Sequence, residues 1–203
     1  FQLAELLGDL PLGLVQAAAY VRASRHVVGF RRLAERLNVT LDTGGEVVHE
    51  AKYPHTVLSL WREQKAALNV EARELLACMA YLSPDGVSWS LLERLHAGQD
   101  LEKALQELRI QSLVSDVSVS GDGPYRSHRL TQMAVRTDLG SGCDFVRIIR
   151  RTLKALLSGR SSLWWHATSL EKVDIFDGEH MRQVLGHLNS TGVLAKDELQ
   201  CQV

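Results

Sequence analysis

A proline inside a leucine-rich helical pattern is the strongest constraint on this chain. The segment Leu7-Gly8-Asp9-Leu10-Pro11-Leu12-Gly13-Leu14 interrupts a run of apolar residues at helical spacing. Proline has no backbone N–H and a fixed φ, so it is tolerated in the first turn of a helix and costs about 3 kcal/mol further in. The chain therefore has to break after Leu7-Gly8 and restart with Pro11 in the first turn of a new helix. Taken alone, this predicts a corner between helices. It also predicts a rigid turn whose proline ring offers a surface for a flat ligand.

The rest of the chain follows the same periodicity. Leu3, Leu6 and Leu7 share one face of a first short helix. A second helix is expected over 11–25, with Leu14, Val15, Ala18, Ala19 and Val21 inward, and a third over 30–37, with Phe30, Leu33, Ala34 and Leu37 on one stripe. Residues 38–52 hold Thr43-Gly44-Gly45 and read as a loop. Helices are expected over 55–67, with Val57, Leu58 and Trp61 inward, and over 70–81, with Asn69 as N-cap. Two more are expected over 87–96 and over 101–110, the latter capped by Asp100. Ser83-Pro84-Asp85-Gly86 is a strong turn signal.

The period then changes. Residues 113–120 are rich in β-formers and alternate from Val117; Gly121-Asp122-Gly123-Pro124 is a loop, and Tyr125-Arg126-Ser127-His128 a return strand. Residues 130–136 are helical again. Three helices followed by a small hairpin is the order of a winged-helix module. Residues 137–143 read as a linker, 145–157 as a basic amphipathic helix with Arg147, Arg150, Arg151 and Lys154 on a solvated face, and 179–188 as a further helix before a polar tail. The expected fold is mainly α. A helical module over 1–50 is followed by a winged-helix-like module over 53–137 with a small β-hairpin. A helical connector over 140–203 completes the chain.

Composition sets the outer limits. The chain has 203 residues, 45% of them hydrophobic and 23% charged, with a formal net charge of −1. That balance argues against bulk electrostatic capture of nucleic acid or an acidic membrane. Cys78, Cys143 and Cys201 are widely spaced and odd in number, so neither a disulfide framework nor a thiolate zinc site is expected, and a reducing, cytoplasmic setting fits. No apolar run approaches the roughly 20 residues that span a bilayer. The chain begins at Phe1 inside a helical pattern and reads as a piece of a longer protein.

Candidate catalytic constellations are sparse. His49, His55, His96, His166, His180 and His187 are scattered, without an acidic partner at zinc-binding spacing. Ser59 and Ser127 lie near histidines, but no Gly-x-Ser-x-Gly elbow exists. Trp164-Trp165 reads as packing.

Three blocks in order carry a resemblance. Leu7 to Leu14, continuing through Ala17-Ala18-Ala19-Tyr20, is similar to the helical segment after the nucleotide-binding core of NB-ARC/STAND signalling NTPases. There the pattern is Gly-Leu-Pro-Leu-Ala-Leu. Here Leu10-Pro11-Leu12 is intact, Asp9 stands where glycine is common, and Gly13 replaces alanine. Residues 57–61 and 75–87 resemble the start of that family's winged-helix region. Residues 105–114 and 125–136 resemble its end, where His128 matches a histidine of the repeat-bearing branch. The resemblance covers about residues 1–137.

The resemblance implies that ADP sits between an upstream ATPase core and these modules. Pro11 would lie near the adenine, flanked by Leu10 and Leu12, and His128 would donate to the β-phosphate. A contact made to ADP and not to ATP biases a closed, inactive state. The chain itself holds no Gly-x-x-x-x-Gly-Lys-Ser/Thr and no apolar strand ending in Asp-Asp. It is therefore expected to be no enzyme and to bind no nucleotide tightly, with ADP or ATP belonging to the full-length parent. The expected partners are the upstream core of the same chain, other proteins, and further copies on activation. By position, 140–203 leads towards tetratricopeptide-type repeats.

Two alternatives stand beside this. One is a DNA-binding winged helix; it is disfavoured because Glu102 and Glu107 on the candidate recognition helix oppose phosphate. The other is a protein-interaction scaffold whose nucleotide motifs have decayed, for which Asp9 and Gly13 speak.

Overall fold

The computed structural model describes residues 2–24, 29–42, 52–96, 100–116, 124–161 and 175–191. Among the described residues the fold is mainly α with one two-stranded antiparallel sheet, as expected. Several sequence expectations lie outside the described residues: the loop at 43–45, the alternation at 117–120 with its loop at 121–123, and Trp164-Trp165-His166. His49, the His55 side chain, Cys201 and the polar tail also lie there.

The break at Gly8 is as the proline demands. Helix α1, Gln2–Leu6, ends in a Schellman turn in which Gly8 N–H donates to Glu5 O (3.0 Å) and Asp9 N–H to Ala4 O (2.8 Å). Gly8 and Asp9 both take left-handed backbone, with φ 62° and 55°. Leu10 then returns to extended backbone and opens helix α2, Pro11–Ala23, with Pro11 at its first helical position.

The inward face of α2 differs from the expected stripe. It buries Gly13, Gln16, Ala17, Ala19 and Tyr20, while Leu14, Val15 and Ala18 are exposed and Val21 is half-buried. The helix is apolar on most sides, so its pattern does not select a face. Packing selects the small residues Gly13 and Ala17, which let α1 and helix α3, Phe30–Asp42, approach closely. Helix α3 runs past Leu37 into the segment read as a loop, and Phe30 is about half exposed rather than inward.

Helix α4, Lys52–Ala67, starts earlier than the expected 55, with Pro54 in its first turn where no N–H partner is needed. It serves two apolar cores. Leu60 joins Leu3, Leu7, Ala17, Tyr20, Leu33, Ala34 and Leu37, whereas Val57, Leu58 and Trp61 face the larger core.

Helices α5 (Val70–Met79), α6 (Trp89–His96) and α7 (Leu101–Ile110) form the centre of that larger core. Asn69 caps α5 by accepting from Ala72 N–H (2.7 Å), and Asp100 caps α7 by accepting from Lys103 N–H (3.1 Å). Helix α6 starts two residues after Val87. Val87 pairs instead with Tyr125 through N–H···O bonds of 3.0 and 2.7 Å in both directions. Strands β1, Ser115–Asp116, and β2, Tyr125–Arg126, pair antiparallel, with Ser115 opposite Arg126 and Asp116 opposite Tyr125.

Helix α8, Arg129–Leu139, absorbs the first part of the expected linker, and helix α9, Cys143–Ser161, begins after a short turn at Gly140. Asp138 holds that last turn by accepting from Trp61 Nε1 (3.2 Å) and Lys65 Nζ (2.7 Å), both on α4. Helix α10, Ile175–Thr191, packs on α9. Phe145, Ile148, Ile149, Leu156, Val184 and Leu188 of these two helices share the larger core, so apolar packing runs across 137–143. The basic face of α9 is partly paired inward rather than fully solvated: Arg147 and Arg151 both bond the Glu74 carboxylate, and Arg151 Nε donates to Leu95 O (2.7 Å). Cys143 is disulfide-bonded, which corrects the cysteine reading; residue spacing does not report which chain segments the fold brings together.

Candidate functional site

The site is built where α2 meets the α7 exit, the Ser83–Gly86 turn and the segment that runs from β2 into α8. The Ser83-Pro84-Asp85-Gly86 turn supplies Pro84 O, which accepts from Ser127 N–H (3.0 Å) and ends β2. Ser127 is buried and donates its hydroxyl to Leu113 O (3.2 Å), tying the β2 exit to the α7 exit. His128 follows with extended backbone and caps α8, its Nδ1 accepting from Leu130 N–H (3.1 Å). With Nδ1 used as an acceptor, the neutral ring carries its proton on Nε2 and keeps a donor there. His128 is exposed.

The opposite end is set by the exit of α7. Leu113 N–H donates to Leu108 O (2.9 Å) and Ser112 N–H to Arg109 O (2.9 Å), a second Schellman turn. Its left-handed residue is Ser112, at φ 56°, where glycine is the unstrained choice. A non-glycine residue in this region stores strain of about 1 kcal/mol.

These pieces enclose a cleft of about 700 Å³, open to solvent. Leu12 and Val15 line it from α2, Ser112, Leu113 and Ser115 from the α7 exit, and Arg126, His128 and Arg129 from the α8 entrance. Three arginines and a histidine line it; Arg126 pairs with the lining Asp85 (2.9 Å), and Arg109 pairs with Glu102 and Asp116 (3.3 Å each) just outside it. Arg109 is held under Tyr125. Its guanidinium lies 5.2 Å from that ring and donates to Tyr125 Oη (3.1 Å) and to Asp116 (3.3 Å). Arg129 makes no ion pair with another described residue. The lining thus suits an anion with an apolar portion.

Of the four residues singled out in the sequence, Leu12 and His128 meet in this cleft. Leu10 packs, half-buried, against the larger core. Pro11 is exposed at the start of α2 and does not line the cleft. Sequence reasoning missed Arg109 and Arg126, which come from separate elements and form no linear motif. It also missed Gln16, which is 2% exposed and donates from Nε2 to Thr131 Oγ1 (2.8 Å) and to Ser112 O (3.4 Å).

Other candidates recede. Among the described residues no group of His, Cys, Asp and Glu is placed to hold a metal ion. Burial pushes the Cys78 thiol up to about 11, which leaves it protonated and unreactive at neutral pH. The outward face of α7 shows Glu102, Lys103, Gln106 and Ile110, with Glu107 bonded to Asn69 (2.9 and 3.1 Å). One lysine on that face offers little to phosphate backbones. No described helix is long and apolar enough to cross a membrane. No family model, curated protein or solved structure matches this chain.

Proposed function

We propose that this chain is a regulatory segment of a STAND/NB-ARC-type signalling ATPase, contributing to ADP binding and to holding an inactive state. The observation that carries the proposal is the meeting of Leu12 and His128, far apart in sequence, in one basic cleft. An Nε2–H donor on His128 and the neighbouring Arg129 suit a diphosphate, while Leu12, Val15 and Leu113 offer apolar surface to a nucleoside. The cleft is open, and the chain carries no phosphate loop, so nucleotide is held tightly only when an upstream core closes the far side.

The exposed side of α2 supports the same reading. Leu14, Val15 and Ala18 lie open beside Pro11, an apolar stripe on a helix end that borders the cleft. In the proposed parent this stripe is covered by the nucleotide-binding core, placing Pro11 in that interface. The chain by itself is not an enzyme; protein partners and self-association on activation belong to the parent.

The test is His128→Ala in the full-length parent, with nucleotide content of the purified protein and oligomeric state as readouts. The expected result is loss of co-purifying ADP and raised basal activity or self-association. Unchanged ADP retention together with an unchanged oligomeric state overturns the proposal.

A further inference from the structure

We infer that Gln16 is a positioning residue for the cleft, its one buried amide group setting the spacing between the α2 wall and the wall formed by the α7 exit and the first turn of α8. The inference rests on the cleft being a ligand site. Gln16 lies one turn beyond Leu12 and next to Val15, both of which line the cleft. Its Nε2 carries two hydrogens and has two acceptors, Thr131 Oγ1 at 2.8 Å and Ser112 O at 3.4 Å. Ser112 lines the cleft itself, and Thr131 stands three residues after His128, on the adjacent turn of α8. One amide group therefore ties α2 to both the α7 exit and α8, the segments that face it across the cleft.

Burial makes the tie consequential. Gln16 and Thr131 are 2% and 1% exposed, so water does not readily replace a lost partner. The rest of the polar seam is under-satisfied. Gln64 Nε2 donates to Gln111 O (3.0 Å), yet Gln64 Oε1 and Gln111 Oε1 are buried without hydrogen bonds. Both side-chain hydrogen bonds described between α2 and the wall formed by the α7 exit and α8 start from Gln16 Nε2, so removal of this donor lets the two walls shift. The left-handed Ser112 adds to this, because the carbonyl Gln16 holds belongs to the strained residue.

The experiment is a titration of ADP into the 203-residue chain, followed by amide chemical shifts of Leu12, Ser112 and Arg129. Five proteins are compared at a temperature where circular dichroism shows each folded: wild type, Gln16→Leu, Thr131→Val, the double variant, and Thr131→Ser. Gln16→Leu and Thr131→Val are each expected to raise Kd about tenfold, and the double variant no more than either single one. Thr131→Ser, which keeps the hydroxyl, is expected to stay within about twofold of wild type. Equal affinities in all five proteins overturn the inference, since a purely structural role lowers stability and leaves affinity of the folded protein alone. If Gln16→Leu does not fold, the Thr131→Val and Thr131→Ser pair decides.

Absence of any shift in wild type at about 10 mM ADP counts against the nucleotide reading instead. Positioning by Gln16 is then decided by hydrogen exchange. Exchange raised in Gln16→Leu at residues 112–114 and 129–131, and unchanged in α5, supports it; no change, or a uniform rise, overturns it.

Discussion

Two glycines separate room from conformation, and their alanine variants are expected to move stability in opposite directions. Gly13 sits in the first turns of α2, buried, with ordinary helical backbone. A Cβ added there meets Leu7 Cβ at 3.5 Å, Leu7 Cδ2 at 3.6 Å and Leu10 Cβ at 3.8 Å, all ordinary van der Waals contacts. Alanine is favoured over glycine inside a helix by up to about 1 kcal/mol, less near the end, and burying one methyl adds up to about 0.8 kcal/mol. Gly13→Ala is therefore expected to stabilise by about 1 kcal/mol, a rise in Tm of about 2–4 °C for a chain of this size. Gly140, between α8 and α9, meets nothing within 4 Å, yet its backbone lies at φ 63° and ψ −149°. Only glycine adopts that region without strain, so Gly140→Ala is expected to destabilise by about 1–3 kcal/mol despite the open space. Urea unfolding of both variants, read by circular dichroism, gives the signs directly. A lowered midpoint for Gly13→Ala would falsify the packing described between α1 and α2, and an unchanged midpoint for Gly140→Ala would refute the strained turn.

Asn69→Ala removes the α5 cap and the side-chain bond to Glu107, worth about 1 and 1.5 kcal/mol, while the bond from the residue's own backbone N–H to Glu107 stays, so a loss of about 2–3 kcal/mol is expected. A double-mutant cycle with Glu107→Gln measures the second part, and a total loss under about 0.5 kcal/mol contradicts the network. His96 is 3% exposed with both ring nitrogens unbonded, and burial, reinforced by Arg151, holds its pKa below the ordinary value; Glu71, Asp100 and Glu74 act the other way. Its folded-state pKa lies below the unfolded one, so the neutral ring's contribution is complete above the unfolded value of about 6.5 and is lost as pH falls through it. Unfolding free energy measured from pH 7.5 to 5 is expected to drop less steeply in His96→Leu than in wild type; parallel curves rule the histidine out.

The central helices were legible because independent signals agreed. In α5 and α7 the apolar spacing and the capping residues Asn69 and Asp100 point to the same starts, and α7 runs as expected from Leu101 to Ile110. Boundaries failed where a distant partner decides them. Helix α5 stops at Met79, short of the expected 81, and the chain beyond it is held by Gln132, which donates to Met79 O (3.0 Å) and Leu82 O (3.2 Å) from α8. Helix α8 outruns its pattern because Trp61 and Lys65 hold Asp138. Glu74 shows why the basic face of α9 was misread. Burial pulls its carboxyl up in pKa, but bonds from Arg147 and Arg151 outweigh this and hold it below the ordinary range. A carboxylate on another helix, invisible from the sequence of α9, thus turns these arginines inward.

The same logic explains why half of the expected nucleotide contacts reach the cleft. The proline fixes where α2 begins, but not its rotation about its own axis. At about 100° per residue, Gly13, Gln16, Ala17 and Tyr20 fall within one arc of roughly 100°, and this arc is buried. Beyond Gln16 follow Leu12, the buried Ala19 and Val15, of which Leu12 and Val15 line the cleft, whereas Pro11 and Ala18 fall on the far side. The phase that gives α1 and α3 their close approach through Gly13 and Ala17 therefore sends Leu12 into the cleft and Pro11 away from it. His128 arrives independently, because α8 needs a cap after β2 and its Nδ1 provides one. A linear motif gives both residues without giving this phase. It is carried by two small side chains and one buried glutamine, residue types that read as filler until the helix has neighbours.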